Sequence, residues 1–429
     1  MIQRFKKKIL NNSDVRNLFQ NFGYLVLLNF ANFILPLISF PYVVRTIGIE
    51  KFGLLSFSLS IVNYFIIITD FSFNLSATRE IAISRHDSKK IDEIVSAVLV
   101  IKTILLLACA IVLIILLFTV SKLSQFWHVH LFTFGVVIGQ VLFPVWFFQG
   151  IEKMKTITYL NIFSKVLYTI LIFIFVKRAE DFYLVPIFSS FGSLIIGVYS
   201  LIYIKSRFKV NFFIPKKDTL IEYIRNGWTL FLSNISVTLY TSAITTILGF
   251  FSSNIVVGYY SVAERLISAI RGMISPISQS LFPFLSKLAV TSESKVLHVN
   301  RKLLLFFTPF FACVSVFLYF FSSEILTVLF KSSSSQSALV LKILSPIPVL
   351  IYLHTIFALF TMIVFGRNKE YTRIIVSGGF FNVILAFSLI PFYHHVGAAI
   401  CVIVIEFYIL IRYVLFTETN GLKIIKKIS

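Results

Sequence analysis

Long apolar runs separated by short polar loops recur along the whole chain, each close to the ~20 residues an α-helix needs to cross a hydrocarbon core about 30 Å thick. About twelve can be drawn, over 21–44, 53–77, 94–118, 131–148, 157–176, 183–204, 228–250, 257–283, 303–321, 339–364, 374–392 and 397–415. Two of them break the apolar pattern in the same way. Ser56, Ser60, Asn63, Asp70 and Asn74 follow Gly53, and Ser261, Arg265, Ser268, Ser275 and Gln279 follow Gly258 at matching offsets. At about 100° per residue these steps of three and four keep each set on one helix face. A polar face inside a bilayer calls for water or a polar cargo, and its duplication points to a transporter with two related halves. Taken singly, each serine is equally a small residue that lets helices approach.

Other echoes support the repeat. Thr46-Ile47-Gly48 with Phe52-Gly53-Leu54-Leu55-Ser56 parallels Ile247-Leu248-Gly249 with Val257-Gly258-Tyr259-Tyr260-Ser261, and Gly150 and Lys153 parallel Gly366 and Lys369. An even number of helices per half makes the repeat parallel, with its axis along the membrane normal. The expected architecture is an all-α polytopic membrane protein of about 12 transmembrane helices in two pseudo-symmetric six-helix lobes around a central cavity. The division reads as an amphipathic cytoplasmic segment 1–20 on the inner leaflet, a first lobe 21–204, a basic cytoplasmic linker 205–227, a second lobe 228–415 and a cytoplasmic tail 416–429. The Ser332–Ser335 run reads as a connector.

Composition agrees: 58% of the 429 residues are hydrophobic and 13% charged, with a mean hydropathy of +0.91. A net charge of +21 could suggest nucleic acid, but its distribution argues for membrane orientation. With the N-terminus in the cytoplasm, about 27 of the 39 Lys and Arg fall on the inward side, while the outward loops hold Arg45, Lys51, Lys122, Lys177, Arg178 and Lys331. Both termini are thus expected in the cytoplasm, and nucleic acid is not an expected partner. The first apolar run exceeds a signal-peptide core and reads as a retained helix. Cys109, Cys313 and Cys401 lie in apolar runs and suggest neither a disulfide framework nor a metal site.

The run from Thr69 to Ala82, TDFSFNLSATREIA, and the run from Pro144 to Met154, PVWFFQGIEKM, resemble the signatures of bacterial polysaccharide transporters. These include Wzx-type O-antigen flippases of the multidrug/oligosaccharidyl-lipid/polysaccharide exporter superfamily. One departure is Ser72, where the family pattern leads one to expect Gly. The resemblance implies two lobes around a V-shaped cavity, and transfer of an undecaprenyl-pyrophosphate-linked oligosaccharide, an O-antigen or similar repeat unit, across a bacterial inner membrane. Membrane lipids, and polysaccharide polymerase machinery as a candidate, are the other partners.

Such a cargo needs cations for its pyrophosphate and hydrogen-bonding groups for its sugars. The substrate-binding candidates are Asn63 and Asn74 for sugar, and Lys102, Lys165, Arg265 and Arg271 for phosphate. Lys102 and Lys165 could equally snorkel toward the inner interface, and Arg45 reads as an outer interfacial anchor. Arg271 follows Glu264 by two turns on nearly the same face, either as a structural pair or as a binding cation beside a titratable carboxylate. Asp70, the one acid in the first six spans, and Glu264 are the ion-coupling candidates. Asp70 could instead be a fixed partner in a network with Arg79 and Glu80. Glu406 is a further candidate proton site. Pro36, Pro41, Pro144, Pro346 and Pro348 are expected to interrupt helices; Trp127, Trp146 and Trp228 fit interfacial belts.

Catalytic patterns are missing. The sequence has no phosphate-binding G-x-x-x-x-G-K-[ST] loop, His128, His130, His394 and His395 lack further ligands at zinc spacing, and no cofactor is implied. The chain reads as a secondary transporter working by alternating access, coupled to an ion gradient, rather than an enzyme. Competing readings are a multidrug or small-molecule antiporter of the same superfamily, which the basic interior disfavours, and an O-antigen polymerase or ligase, which would need a large outward loop.

Overall fold

A computed structural model describes residues 13–330 and 334–424. Residues 1–12 of the expected inner-leaflet segment, 331–333 of the connector and 425–429 of the tail lie outside the described residues. The described residues form helices joined by short loops, with no strand among them. It runs α1 (Ser13–Asp70), α2 (Phe73–Ile83), α3 (Ser88–Thr119), α4 (Ser121–Ser124), α5 (Trp127–Leu142), α6 (Val145–Gly150), α7 (Met154–Phe175), a 3₁₀ turn (Ala179–Tyr183) and α8 (Leu184–Phe208). It continues with α9 (Lys217–Phe251), α10 (Asn254–Thr291), α11 (Glu293–Phe320), α12 (Ser322–Phe330), α13 (Ser335–Leu344), α14 (Ile347–His354), a π-helix (Thr355–Ile363) and α15 (Asn368–Thr419). Among the described residues, eight helices are long and apolar enough to cross a membrane, and every expected span falls on a helix or on helices joined end to end. The protein is an all-α, multi-pass membrane protein.

The two longest elements carry internal breaks away from their prolines. α1 bends at Gly48 (φ 80°, ψ 163°) and keeps helical backbone through Pro36 and Pro41; α15 bends at His394 (φ 50°, ψ −126°). Glycine takes φ of 80° without steric cost, which makes it the natural break. His394 takes its unusual backbone with its ring Nδ1 2.8 Å from the Ser252 hydroxyl. Pro144 and Pro346 do interrupt the expected spans 131–148 and 339–364: each lies in the break between two successive helices, just ahead of α6 and α14, where its missing N–H breaks no helical bond.

The chain forms two compact units. The first comprises residues 1–39, 64–176 and 183–234, the second 40–63, 177–182 and 235–429. In the first, Trp146, Phe147 and Phe148 of α6 are buried against Phe73, Ala77 and Ile81 of α2 and Ile94 and Val98 of α3. The interfacial position expected for Trp146 is therefore corrected, since its ring is fully buried, whereas Trp127 and Trp228 are exposed. In the second, Ile356, Phe357 and Phe360 of the π-helix pack with Leu285, Val296, Ile405 and Ile409.

Lipid is as apolar as leucine, so helices in it associate through close packing at small residues. α5 and α8 do so in the first unit. A β-carbon on Gly135 would crowd Ser190, one on Gly139 would crowd Ser193, and one on Gly197 would crowd Leu142. Elsewhere in this unit apolar surface remains open, as Ile104, Leu107, Ile111 and Phe118 of α3 show. In the second unit, Arg45 donates from Nε to the Leu329 carbonyl (2.6 Å) and from Nη2 to that of Val328 (2.7 Å). The expected anchor thus caps the C-terminal carbonyls of α12, groups that have no partner within their own helix.

Candidate functional site

The two signature-like stretches dock on each other in the first unit. The Thr78 hydroxyl lies 3.2 Å from the Trp146 carbonyl, and a β-carbon on Gly150 would press on Ile81 and on the Thr78 carbonyl. Arg85 locks the junction, donating from Nε to the Gly150 carbonyl (2.8 Å) and pairing with Glu152 (2.7 Å). The turn between α1 and α2 shows why glycine is favoured at position 72. Phe71 (φ 46°) and Ser72 (φ 61°) take left-handed backbone, so residue 72 sits where glycine is favoured and a serine carries strain.

That turn places Asp70 at the end of α1 beside Lys102 of α3. The Lys102 Nζ is 3.4 Å from Asp70 Oδ1, with the side chains 3% and 23% exposed. Snorkelling is therefore not what Lys102 does: it is buried and paired. Asn74 donates to the same carboxylate oxygen at 2.8 Å, so three candidates picked separately converge on one cluster. The partner of Asp70 is thus Lys102 rather than Arg79. Lys165 lies on α7, half-buried, and its carbonyl accepts from Thr169 (2.8 Å).

The stripes are only partly wet. In the second unit, Gly53 and Gly258 pack α1 against α10: a β-carbon on Gly53 would overlap the Asn254 carbonyl, and one on Gly258 would overlap the Ile49 carbonyl. Ser60 is buried, donating to the Phe57 carbonyl (2.7 Å) and accepting from the Thr246 hydroxyl (2.9 Å). Ser261 is buried as well. These members pack helices, which corrects the reading of each stripe as wet along its whole length. Asn63 is half-buried and Arg265 exposed.

Further along α10, the structure replaces the expected partner of Arg271. Glu264 accepts from Ser268 on its own helix, while Arg271 Nη2 lies 3.3 Å from Glu406 Oε1 on α15. His354, at the end of α14, places Nδ1 3.3 Å from Glu406 Oε2 and Nε2 3.0 Å from the Glu406 carbonyl. Glu406 is buried because it lies on the packed face of α15 with Cys401, Ile405, Ile409 and Tyr413. Sequence reasoning missed His354, a lone histidine in an apolar run; the available signal is that any ionisable residue within a span is a functional candidate. Among the described residues no three His, Cys, Asp or Glu cluster to hold a metal.

Each unit thus places a cation and a carboxylate together inside the membrane-spanning part of the chain. Such groups can hold one another when the site is empty and exchange partners for a polar, anionic ligand.

Comparison with known proteins follows the same line. The family described as "Polysaccharide biosynthesis protein" matches residues 18–289. Two relatives, both named "Putative O-antigen transporter", are 28% identical: one from Escherichia coli (strain K12), over 96% of this chain and 99% of its own, and one from Shigella dysenteriae, over 90% and 96%. Among solved structures, the lipid II flippase MurJ in an inward closed conformation matches with a TM-score of 0.71 at 14% identity, over 92% of this chain and 87% of its own. An inward-facing multidrug resistance MATE family transporter of the MOP superfamily matches with a TM-score of 0.66 at 13% identity, over 92% and 96%. At these identities the likeness is one of fold.

Proposed function

We propose a function from one premise: the chain belongs to the polysaccharide biosynthesis protein family. It is a flippase that carries a polyprenyl-pyrophosphate-linked oligosaccharide across the membrane, a transporter rather than an enzyme. The observation that carries this reading is the end-to-end match to relatives named as O-antigen transporters, over 96% of this chain and 99% of the E. coli protein. The fold shared with multidrug transporters brings no cargo with it, and the charge inside the spans favours an anion.

The finer reading is as follows. The membrane is a bacterial inner membrane, the cargo an undecaprenyl-pyrophosphate-linked O-antigen or similar unit moving outward, and both termini are cytoplasmic, as the distribution of Lys and Arg supports. The chain crosses twelve times, in two six-helix lobes at 21–204 and 228–415 joined by the basic linker 205–227. Asn63 and Asn74 serve the sugar. Lys102, Lys165, Arg265 and Arg271 serve the pyrophosphate, and Asp70 and Glu264 take part in coupling to an ion gradient by alternating access. Polysaccharide polymerase machinery takes up the product.

Deleting the gene tests the reading in cells. Expected are loss of surface polysaccharide and accumulation of lipid-linked units on the inner face, both restored by the intact gene. Full display in cells with no other flippase contradicts it.

A further inference from the structure

Arg271, Glu406 and His354 form an arrangement that a purely structural ion pair does not require. One oxygen of the Glu406 carboxylate faces Arg271 and the other faces His354, each at 3.3 Å, and the carboxylate is 4% exposed. Arg271 is less enclosed, at 31%, and its Nε is a buried donor without a partner among the described residues. A guanidinium can bind two oxygens side by side through parallel N–H groups, yet among the described residues Arg271 engages through Nη2 alone. The bonding capacity of Arg271 is largely unused, and the group that occupies the rest is itself an anion.

We propose that this cluster is a charge-exchange site for the diphosphate of the cargo, in which Glu406 holds Arg271 when the site is empty and gives it up when diphosphate binds. The proposal deepens the flippase reading and rests on it. Displacement leaves the buried Glu406 carboxylate without its cation, a state of high electrostatic cost. A proton taken from water onto the Glu406–His354 pair removes that cost: the pair gains one positive charge as the diphosphate replaces Glu406 at Arg271, and both changes reverse on release. Cargo binding and proton uptake are then one event. Arg271 is the binding residue, and Glu406 and His354 act through it as positioning residues.

The surroundings permit this. Tyr413 of α15 stands edge-on to His354, and Tyr371, from the start of the same helix, stacks on Tyr413. α10 brings Arg271 and, seven residues before it, Glu264, which accepts from Ser268. The π-helix carries no ionisable side chain. Arg301 of α11 is engaged with the Ile424 carbonyl, and Lys342 of α13 is exposed. Among the described residues Arg271 is the one permanent cation recorded against Glu406.

Inorganic diphosphate is the probe, titrated by calorimetry into the full-length purified protein at several pH values, with thermal unfolding as a check on each variant. Wild type is expected to bind more tightly as pH falls. Glu406→Gln offers Arg271 a neutral partner, so affinity should rise about tenfold. Its pH dependence should drop by about one proton relative to wild type; the comparison cancels the probe's own titration. His354→Gln should keep binding but flatten the pH profile, and Arg271→Gln should abolish binding. Unchanged affinity and pH slope in Glu406→Gln, or binding that survives Arg271→Gln, overturns the exchange site while leaving the flippase reading intact. Failure of wild-type protein to translocate the lipid-linked cargo would end that reading instead.

Discussion

Gly53 and Gly258, the first residues of the two matched polar stripes, meet at one helix crossing in a reciprocal arrangement. A β-carbon on Gly53 would overlap the carbonyl of Asn254, four residues before Gly258, and one on Gly258 would overlap the carbonyl of Ile49, four residues before Gly53. The crossing is therefore locally two-fold symmetric about these glycines.

Because each β-carbon would strike backbone, no rotamer change can relieve it. Gly53→Ala and Gly258→Ala should each destabilise the protein by about 1–3 kcal/mol, read as a lower unfolding temperature in detergent. Once one substitution has forced the helices apart, the second should add little, so the double variant should fall well short of the sum. Additive losses would mean that the two positions do not share a crossing.

Lys102 and Asp70 should respond unequally. Asp70→Asn strands an almost fully buried ammonium and should cost about 3 kcal/mol or more. Lys102→Met leaves a carboxylate that is partly exposed and still bonded to Asn74, and should cost about 1 kcal/mol. The double variant should recover much of the Asp70→Asn loss. Thermal unfolding of the three proteins measures this, and equal single losses would contradict it.

Ser72 adopts left-handed backbone without a side-chain bond capping α2. Ser72→Gly should raise stability by up to about 1 kcal/mol, with abundance in the membrane unchanged or higher. A loss of stability would mean that the hydroxyl matters more than the backbone strain.

Trp146→Ala removes a fully buried ring from the junction between the two signature-like stretches. It should cost about 3–5 kcal/mol and lower the amount of folded protein recovered from membranes. Trp127→Ala, at an exposed position, should cost far less.

What could be read from the sequence followed what periodicity encodes. Apolar runs of crossing length located the helices, and the offset between the stripes matched Gly53 to Gly258 before their contact was known. Residues joined only by tertiary packing stayed hidden. Nothing local links Arg271 to Glu406, which lies 135 positions away, so the nearer Glu264 looked like its partner. Lys102 lay close enough to a helix end to suggest snorkelling, because distance along a helix does not reveal which face a neighbour covers. Trp146 looked interfacial because its ring meets Phe73, Ile81 and Ile94 only after folding. At position 72 the sequence carried a signal in the glycine expected there, and its meaning is the left-handed turn.

The central claim is translocation of a lipid-linked oligosaccharide, and reconstitution tests it most directly. Liposomes containing a polyprenyl-pyrophosphate-linked oligosaccharide in both leaflets are treated from outside with an impermeant diphosphatase, with and without the purified protein. The account predicts that only the outer-leaflet pool is cleaved in protein-free vesicles, whereas nearly the whole pool becomes accessible with the protein present. A cleaved fraction that stays at the outer-leaflet pool, in vesicles where correctly folded protein is verified, would contradict it.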